Sequence, residues 1–202
     1  YWRDWSSDVC SSDLAFAWVD RVVCGSSFVA DAIAARGVVP VTWFPLPVEV
    51  GTVSQHVPTV VGWPHGFVFY FAFDYASVFA RKNPLGLVTA YTNAFDRDEG
   101  VALVIKSVNG DRFPHERAAL AAAVADRSDI TLIEEFVDDG MRNAMTASCD
   151  CYVSLHRAEG FGLTIAEAMY LGKPVIATGY SGNMDFMNEH NSVPVPFSLV
   201  PV

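Results

Sequence analysis

The chain has 202 residues, of which 51% are hydrophobic, and 13 basic against 23 acidic residues give it a formal charge of −10 at pH 7. This length allows one α/β domain and part of another, and the apolar content is typical of a sheet buried on both faces. The negative charge argues against a diffuse nucleic-acid-binding surface. The longest apolar runs fall far short of the roughly 20 residues of a transmembrane helix.

The first residues of the chain do not resemble an evolved segment. Asp4–Leu14 resembles one reading frame of a common DNA-sequencing adapter, so we exclude residues 1–14 from fold reasoning. The cysteines after this segment are expected to be small buried thiols, because no second close pair is present to complete a zinc site. With no secretory signal visible, the cytoplasm is the expected compartment.

Residues 15–50 contain a strand, a helix and an extended run, predicted at Val19–Cys24, Phe28–Ala35 and Val39–Leu46. Either Ser26 or Ser27 is suited to be the N-cap of the helix, because a serine hydroxyl accepts a hydrogen bond from a free N–H group of the first turn. Residues 51–66 carry Gly, Pro, Ser and Thr without periodicity, which predicts a linker.

From residue 67 onward, apolar runs alternate with helical stretches. Five strands are predicted, at Phe67–Phe73, Val101–Val108, Ile130–Phe136, Cys151–His156 and Pro174–Gly179. Four helices alternate with them, at Pro84–Phe95, Pro114–Ala125, Asp138–Ser148 and Leu163–Leu171. This order predicts an α/β fold with a Rossmann-like, doubly wound parallel sheet, which binds ligands at the carboxyl ends of its strands. The tail at 191–202 has three prolines and no predicted closing helix, which indicates truncation.

The most informative stretch is the turn between the fourth predicted strand and the helix after it. Glu159 and Glu167 flank seven residues that include Gly160 and Gly162. The first N–H groups of the helix have no internal partner and, with the helix dipole, favour a phosphate. Two carboxylates beside such a site suit a ligand with hydroxyls and phosphates, such as a nucleotide sugar. A capping box from Thr164 to Glu167 and a solvated loop position for Glu159 are the structural alternatives.

The segment Glu159–Glu167 resembles the Glu-x7-Glu motif of retaining GT-B glycosyltransferases, especially those of glycosyltransferase family 4. The resemblance covers roughly residues 17–196. It implies two Rossmann-like domains with a cleft between them. Residues 15–50 would then end the N-terminal, acceptor-side domain, and 67–202 would form most of the C-terminal, donor-binding domain. The family implies retaining transfer from a nucleotide-diphosphate sugar, with no metal ion and no other cofactor.

The resemblance also implies roles for individual residues. Glu159 would be the catalytic residue that holds the donor sugar, and Glu167 would hold the ribose hydroxyls. Lys82 matches the family's Lys after the first strand, but the Arg that usually precedes it is missing, and Arg81 is the candidate replacement. Lys106, in an apolar strand, is expected at the strand end facing the cleft as a further phosphate or sugar contact. The diphosphate would meet the turn and the helix start: Gly160, Phe161, Gly162, Leu163 and Thr164.

Three further assignments concern Ser77, the segment 180–183 and Phe136, and the first two keep alternatives. Ser77 is an alternative to Arg81 as the replacement for the missing Arg. The segment 180–183 either lines the sugar pocket or forms an ordinary turn. Phe136 follows Glu134 and Glu135 at the end of a predicted strand, where this family generally receives the base.

The sequence leaves the donor sugar, the base and the acceptor open, and the acceptor class could be a glycan, a lipid or a small molecule. Peripheral membrane association through the preceding domain also stays open. The alternatives are a GT-B sugar-nucleotide 2-epimerase, a non-catalytic nucleotide-sugar-binding module and a dinucleotide-binding oxidoreductase. Ile165 argues against the last of these, because it occupies the third glycine position of the dinucleotide fingerprint. The 202 residues alone are expected to bind nucleotide without transferring sugar.

Overall fold

The computed structural model describes residues 15–53 and 62–200. The adapter-like segment and part of the predicted linker, residues 54–61, lie outside the described residues. The first described segment contains strand β1, helix α1 and strand β2, at Val22–Cys24, Ser27–Ala34 and Val41–Trp43. The two strands pair in parallel. Ser26 is the N-cap of α1, because its Oγ accepts the Val29 N–H at 3.2 Å.

The second described segment is built around one sheet of six parallel strands. They are β3 to β8, at Phe67–Asp74, Val101–Val108, Ile130–Ile133, Cys151–Ser154, Val175–Thr178 and Val193–Val195. The helices α2 to α6 lie at Phe79–Lys82, Pro84–Ala94, Pro114–Val124, Asp139–Ser148 and Leu163–Tyr170. Short 3-10 turns occupy Tyr75–Ser77, Gly110–Arg112 and Gly182–Asp185. This architecture confirms the predicted α/β, Rossmann-like doubly wound sheet.

Side chains of the central strands alternate between two apolar clusters, one on each face of the sheet. On one face, strands β3 and β4 pack with α3 and α4 through Phe71, Phe73, Leu103, Leu87 and Leu120. On the other face, they pack with α5 and α6 through Val68, Tyr70, Val104, Met145 and Ile165. Because both faces are covered, these strands are apolar almost throughout, as buried parallel strands are.

The strand order β5-β4-β3-β6-β7-β8 contains a single switch point. The chain first builds outward from β3 through β4 to β5, and then returns to place β6 on the other side of β3. Strands β3 and β6 pair in parallel, with Tyr70 opposite Tyr152. The loops that follow these two strands therefore leave the same edge of the sheet side by side, at the position where open α/β sheets bind ligands.

Two sequence predictions about the strands are wrong. The tail contains a sixth strand, β8, which pairs with β7 at the edge of the sheet. Its three residues include Pro194, and proline is tolerated in an edge strand because no neighbour needs its missing N–H. Strand β5 ends at Ile133 rather than Phe136, and the Phe136 side chain is 90% exposed. Among the described residues, no helix is long and apolar enough to span a membrane.

Candidate functional site

Glu159 lies between two cations that come from the loop after β3. Its Oε1 accepts a hydrogen bond from Lys82 Nζ, and its Oε2 lies 3.1 Å from Arg81 Nη1. The three side chains are largely buried, with exposed fractions of 11% for Glu159, 14% for Lys82 and 22% for Arg81. The structure thus brings together three of the residues singled out from the sequence. They meet at the switch point, where the loops after β3 and β6 run side by side.

Hydrogen bonds to the backbone fix Arg81 against the Glu159 loop. Its Nε donates to the carbonyl of Ser77 at 3.1 Å, and its Nη1 donates to the carbonyl of Ala158 at 2.9 Å. In return, the N–H of Arg157 donates to the carbonyl of Arg81 at 2.8 Å. Ser77 therefore serves the site through its carbonyl group, and Arg81 is the side chain that reaches Glu159.

An unusual turn directs α2 toward Glu159. Asp74, at the end of β3, accepts the Ala76 N–H at 2.8 Å and starts a single 3-10 turn. Val78 follows with φ of +66°, a conformation that is rare for a β-branched residue. Asn83 also has a positive φ, and its Nδ2 donates to the carbonyl of Leu155 at 2.8 Å. The short helix between these two positions carries both cations.

The glycine turn ends in a helix start with free donors. Gly162 has φ of +90° and is the N-cap of α6. Within the described parts of the chain, no hydrogen bond involves the backbone N–H groups of Gly162, Leu163 and Thr164. The predicted capping box is wrong, because α6 begins at Leu163, Thr164 lies inside the helix, and no side chain caps it. Unpaired N–H groups at the positive end of the helix dipole are suited to an anion.

Glu167 has a very different environment from Glu159. Its side chain is 17% exposed, and its Oε1 lies 3.7 Å from Nη2 of Arg142 on α5. Burial raises the pKa of the Glu167 carboxyl; the guanidinium of Arg142 opposes this and Asp139 adds to it. No sequence pattern indicates the contact between Arg142 and Glu167. Arg142 follows Asp139 by three positions, a spacing typical of surface ion pairs on a helix, and the two also pair in the structure.

Lys106 is not part of the cluster around Glu159. Its side chain is 4% exposed, and its Nζ donates to the carbonyl of Ser107 at 2.8 Å. Burial lowers the pKa of Lys106, and the charge of Glu135 opposes that effect. In the described part of the chain, no hydrogen bond or ion pair joins Lys106 to a proposed site carboxylate. Its predicted position at the strand end facing the cleft and its role as a donor contact stay predictions, as does the role of Phe136.

The turn after β7 supports Glu159 from the other side. Ser181 Oγ accepts the N–H of Glu159 at 2.7 Å, and the N–H of Gly182 donates to the carbonyl of Glu159 at 3.0 Å. A Cβ atom on Gly182 would lie 2.1 Å from the carbonyl oxygen of Gly160, so only glycine allows this approach. His156 is buried nearby, which lowers its pKa, and its Nε2 lies 3.1 Å from Asn183 Oδ1. Segment 180–183 therefore holds the Glu159 loop in place.

The site as a whole combines groups for an anion with groups for hydroxyls. Two cations and a row of free N–H groups suit a phosphate or diphosphate. The two carboxylates are acceptors for hydroxyl hydrogen bonds. The arrangement can therefore bind a molecule that carries phosphate and sugar together.

Comparison with known proteins identifies the family and the fold of the chain. A family model described as glycosyl transferases group 1 matches residues 70–194. No curated protein matches the chain. Among solved structures, a glycosyltransferase from Rickettsia africae ESF-5 superposes with a TM-score of 0.70 at 17% identity, covering 93% of this chain and 53% of that one.

Two further structures show the same fold at similar distance. Sucrose-phosphate synthase from Thermosynechococcus elongatus gives a TM-score of 0.68 at 20% identity, over 92% of this chain and 47% of that one. Anabaena HepE, in complex with UDP and glucose, gives 0.68 at 18% identity, over 88% of this chain and 49% of that one. The chain thus spans about half the length of these proteins.

Proposed function

The chain belongs to the glycosyl transferases group 1 family, and on that basis we propose that it supplies the donor-binding half of a retaining GT-B glycosyltransferase of family 4. Its substrate is a nucleotide-diphosphate sugar, and its acceptor is a hydroxyl group of unassigned origin. The observation that carries the proposal is the cluster of Glu159, Arg81 and Lys82 beside the free N–H groups of α6. The UDP and glucose bound in the Anabaena structure support the same class of donor.

The two cations and the N–H groups of the helix start receive the diphosphate. In transfer, the bond between the anomeric carbon and the donor phosphate oxygen breaks, and that oxygen keeps the electron pair. Arg81, Lys82 and the N–H groups from Gly162 to Thr164 stabilise the developing charge, because preorganised donors need little reorganisation as the bond breaks. Two fixed cations perform this task without a metal ion.

Glu159 has two successive partners in this scheme. Without donor, its carboxylate pairs with both Arg81 and Lys82 and offsets one of their two positive charges. When a diphosphate binds the same cations, the carboxylate becomes free to accept hydrogen bonds from sugar hydroxyls. Glu167, partly buried and weakly paired, accepts hydrogen bonds from the ribose hydroxyls, which replace the water that burial removes.

Nucleotide binding tests the proposal directly. Calorimetric titration of the 202-residue chain with UDP, GDP and ADP is expected to show binding of at least one of them, and NAD(H) is expected not to bind. Lys82→Ala should weaken that binding about tenfold or more, because it removes a charge-assisted contact to phosphate. Arg97→Ala, at an exposed position before β4, serves as the control and should bind like the wild type.

Two results would contradict the proposal. One is the failure of all three nucleotides to bind the wild-type chain. The other is equal affinity in Lys82→Ala and the wild type, which would remove Lys82 from the donor site. In the same preparation, the chain alone is expected to release no sugar to an acceptor, since the acceptor side of the cleft is assigned to the N-terminal domain.

A further inference from the structure

The start of helix α1 contacts the two turns that hold Glu159. Ser26 Oγ donates a hydrogen bond to the carbonyl of Gly160, 134 positions further along the chain. The N–H of Ser27 donates to Asp185 Oδ2 at 2.7 Å, and the Ser27 hydroxyl donates to Asp185 Oδ1. We call these three residues, Ser26, Ser27 and Asp185, the α1 contact. Through it, the segment that precedes the main sheet reaches the peptide next to the catalytic carboxylate.

The hydrogen bonds of the α1 contact pair donors at the start of α1 with acceptors in the two turns. The Ser26 hydroxyl accepts the Val29 N–H as N-cap and donates its own proton to Gly160. The Ser27 N–H belongs to the first turn of α1, where no backbone carbonyl is within reach as a partner. The carboxylate of Asp185 accepts this N–H at the positive end of the helix dipole, where a negative charge is favoured. The contact therefore fixes Asp185 as well as α1.

Asp185 is joined to Glu159 by a short chain of bonds. It closes the 3-10 turn Gly182–Asp185, whose first residue donates its N–H to the carbonyl of Glu159. The neighbouring Ser181 accepts the N–H of Glu159. Both backbone groups of Glu159 thus depend on the turn that Asp185 closes. A displacement of that turn would displace the Glu159 carboxylate relative to Arg81 and Lys82.

An open pocket lies next to the α1 contact. Its volume is about 470 Å³, and it lies between the same two parts of the chain, with Trp43 and Leu46 on one side and Phe161 and Met169 on the other. Near the contact, Phe28 packs against Tyr180 across the two parts, with their ring centroids 5.4 Å apart. The apolar side chains on the two sides of this pocket do not fill the space between them. The hydrogen bonds of the α1 contact therefore contribute more to holding the two parts of the chain in their relative position.

We propose that the α1 contact positions Glu159 for the donor, so that Ser26, Ser27 and Asp185 are positioning residues of the transferase site. The inference rests on the proposed function of Glu159. Its mechanical part, that α1 orders the Glu159 loop, stands independently of any ligand. The contact makes the donor site sensitive to the placement of residues 15–53.

Ser27→Pro is a variant that breaks both bonds between α1 and Asp185 and spares the helix and the Ser26–Gly160 bond. Proline is well accepted at the first position of a helix, and it removes both the N–H and the hydroxyl that bind Asp185. Ser26 has φ of −134° and ψ of 153°, the extended conformation that a residue before proline prefers. Ser27→Ala is the matched control, because it keeps the N–H and loses only the hydroxyl. Asp185→Asn and Asp185→Leu form the second pair, since only Asn keeps an acceptor oxygen.

The experiment combines amide hydrogen exchange with UDP titration on the 202-residue chain. In Ser27→Pro and Asp185→Leu, exchange of the Glu159 and Gly182 N–H groups should be about tenfold faster than in the wild type, with exchange in β4 unchanged. The dissociation constant for UDP should rise at least about fivefold in the same two variants, since misplaced groups lose their contacts with the ligand. Ser27→Ala and Asp185→Asn should stay close to the wild type in both measurements.

Three results decide against the inference in whole or in part. Unchanged exchange at Glu159 and Gly182 in both disruptive variants overturns the mechanical part. Faster exchange with unchanged UDP affinity overturns the positioning role. If the wild-type chain binds none of UDP, GDP and ADP while exchange responds as expected, the proposed function fails and the α1 contact is a structural contact only.

Discussion

The two carboxylates of the Glu-x7-Glu segment lie in opposite environments, although they are only eight positions apart in the chain. Glu159 lies on a loop and is paired with Arg81 and Lys82. Glu167 lies in helix α6, where burial raises its pKa, and its cation, Arg142, is 3.7 Å away. Two cations of the protein balance the charge of Glu159, whereas the desolvation cost of the Glu167 carboxylate is only partly offset by Arg142.

The difference follows from topology. Glu159 and its two cations come from the loops after β6 and β3, which the strand order places side by side. Glu167 meets Arg142 only because α5 lies next to α6 on one face of the sheet. A ligand is therefore expected to compete with the protein for the partners of Glu159, and to supply partners that Glu167 lacks.

The largest expected effect is that of Glu159→Gln. Removing the carboxylate leaves two largely buried cations without their counter-charge, so the free energy of unfolding should fall by about 2 kcal/mol. Pyrophosphate should bind this variant more tightly than the wild type, because it no longer competes with the carboxylate. Urea unfolding at constant ionic strength, with and without pyrophosphate, measures both effects.

Glu134→Gln is the matched control for this experiment. Glu134 also pairs with an arginine, Arg117, at 2.7 Å, but their side chains are 29% and 51% exposed. Its loss should cost less than about 1 kcal/mol and leave pyrophosphate binding unchanged. Equal stability losses in Glu159→Gln and Glu134→Gln, with no gain in pyrophosphate affinity, would contradict the proposed contrast between Glu159 and Glu167.

Lys106→Met tests whether the sheet supplies a further cation to the site. The buried ammonium has the Ser107 carbonyl oxygen as its hydrogen-bond partner, and burial lowers its pKa. Replacing it with an apolar side chain of similar length should raise the free energy of unfolding by about 1 kcal/mol, because a desolvated charge is removed. The predicted donor contact is tested in the same variant: UDP affinity should fall if the ammonium reaches the donor, and an unchanged affinity would exclude Lys106 from the site. Urea unfolding and UDP titration measure the two effects separately.

Glu167→Gln should have the smallest effect, and its size depends on pH. Because the folded-state pKa of Glu167 is raised, the ionised carboxyl costs stability above that pKa, and this cost disappears as pH falls below the ordinary value near 4.5. At pH 7 the Gln variant should be the more stable protein by less than about 1 kcal/mol. The gap should close in acid, as followed by urea unfolding from neutral pH to a pH below that ordinary value.

Arg142→Met tests the origin of that pH dependence. The guanidinium of Arg142 lowers the pKa of Glu167, so its removal should raise that pKa further. In the Arg142→Met background, the Glu167→Gln substitution should therefore stabilise the protein at neutral pH by more than it does in the wild type. A carbon-13 NMR titration of the Glu167 carboxyl measures its pKa directly. The same pKa with and without Arg142 would show that Arg142 is only a surface charge.

Local signals in the sequence are sufficient for most of the sheet and for one half of the site. The predicted bounds of strand β4, Val101–Val108, are the observed ones, because an apolar run between turn residues is a strong local pattern. Glu159 is recognisable because it follows a predicted strand and precedes a predicted helix, whereas Lys82 is singled out by the resemblance to the family. The periodicity of helices and strands therefore places both loops before any contact is known.

Features that depend on tertiary contact are not predictable in this way. The capping box is wrong because the N-cap of helix α6 is Gly162, with a positive φ, and not Thr164, and the Ser/Thr-x-x-Glu pattern alone does not reveal which residue is the N-cap. Strand β8 is missed because three residues with a central proline carry almost no strand signal. Nothing local to Asp185 indicates that it binds Ser27, since the two are 158 positions apart.

The backbone of Val78 has a consequence for how this chain would respond to selection for thermal stability. Its φ of +66° costs on the order of 1–3 kcal/mol, and the surrounding structure must supply that energy. Glycine accepts this conformation without strain, but it would also let the segment that carries Arg81 and Lys82 move more freely. A screen for heat resistance and a screen for nucleotide binding would therefore favour different residues at position 78.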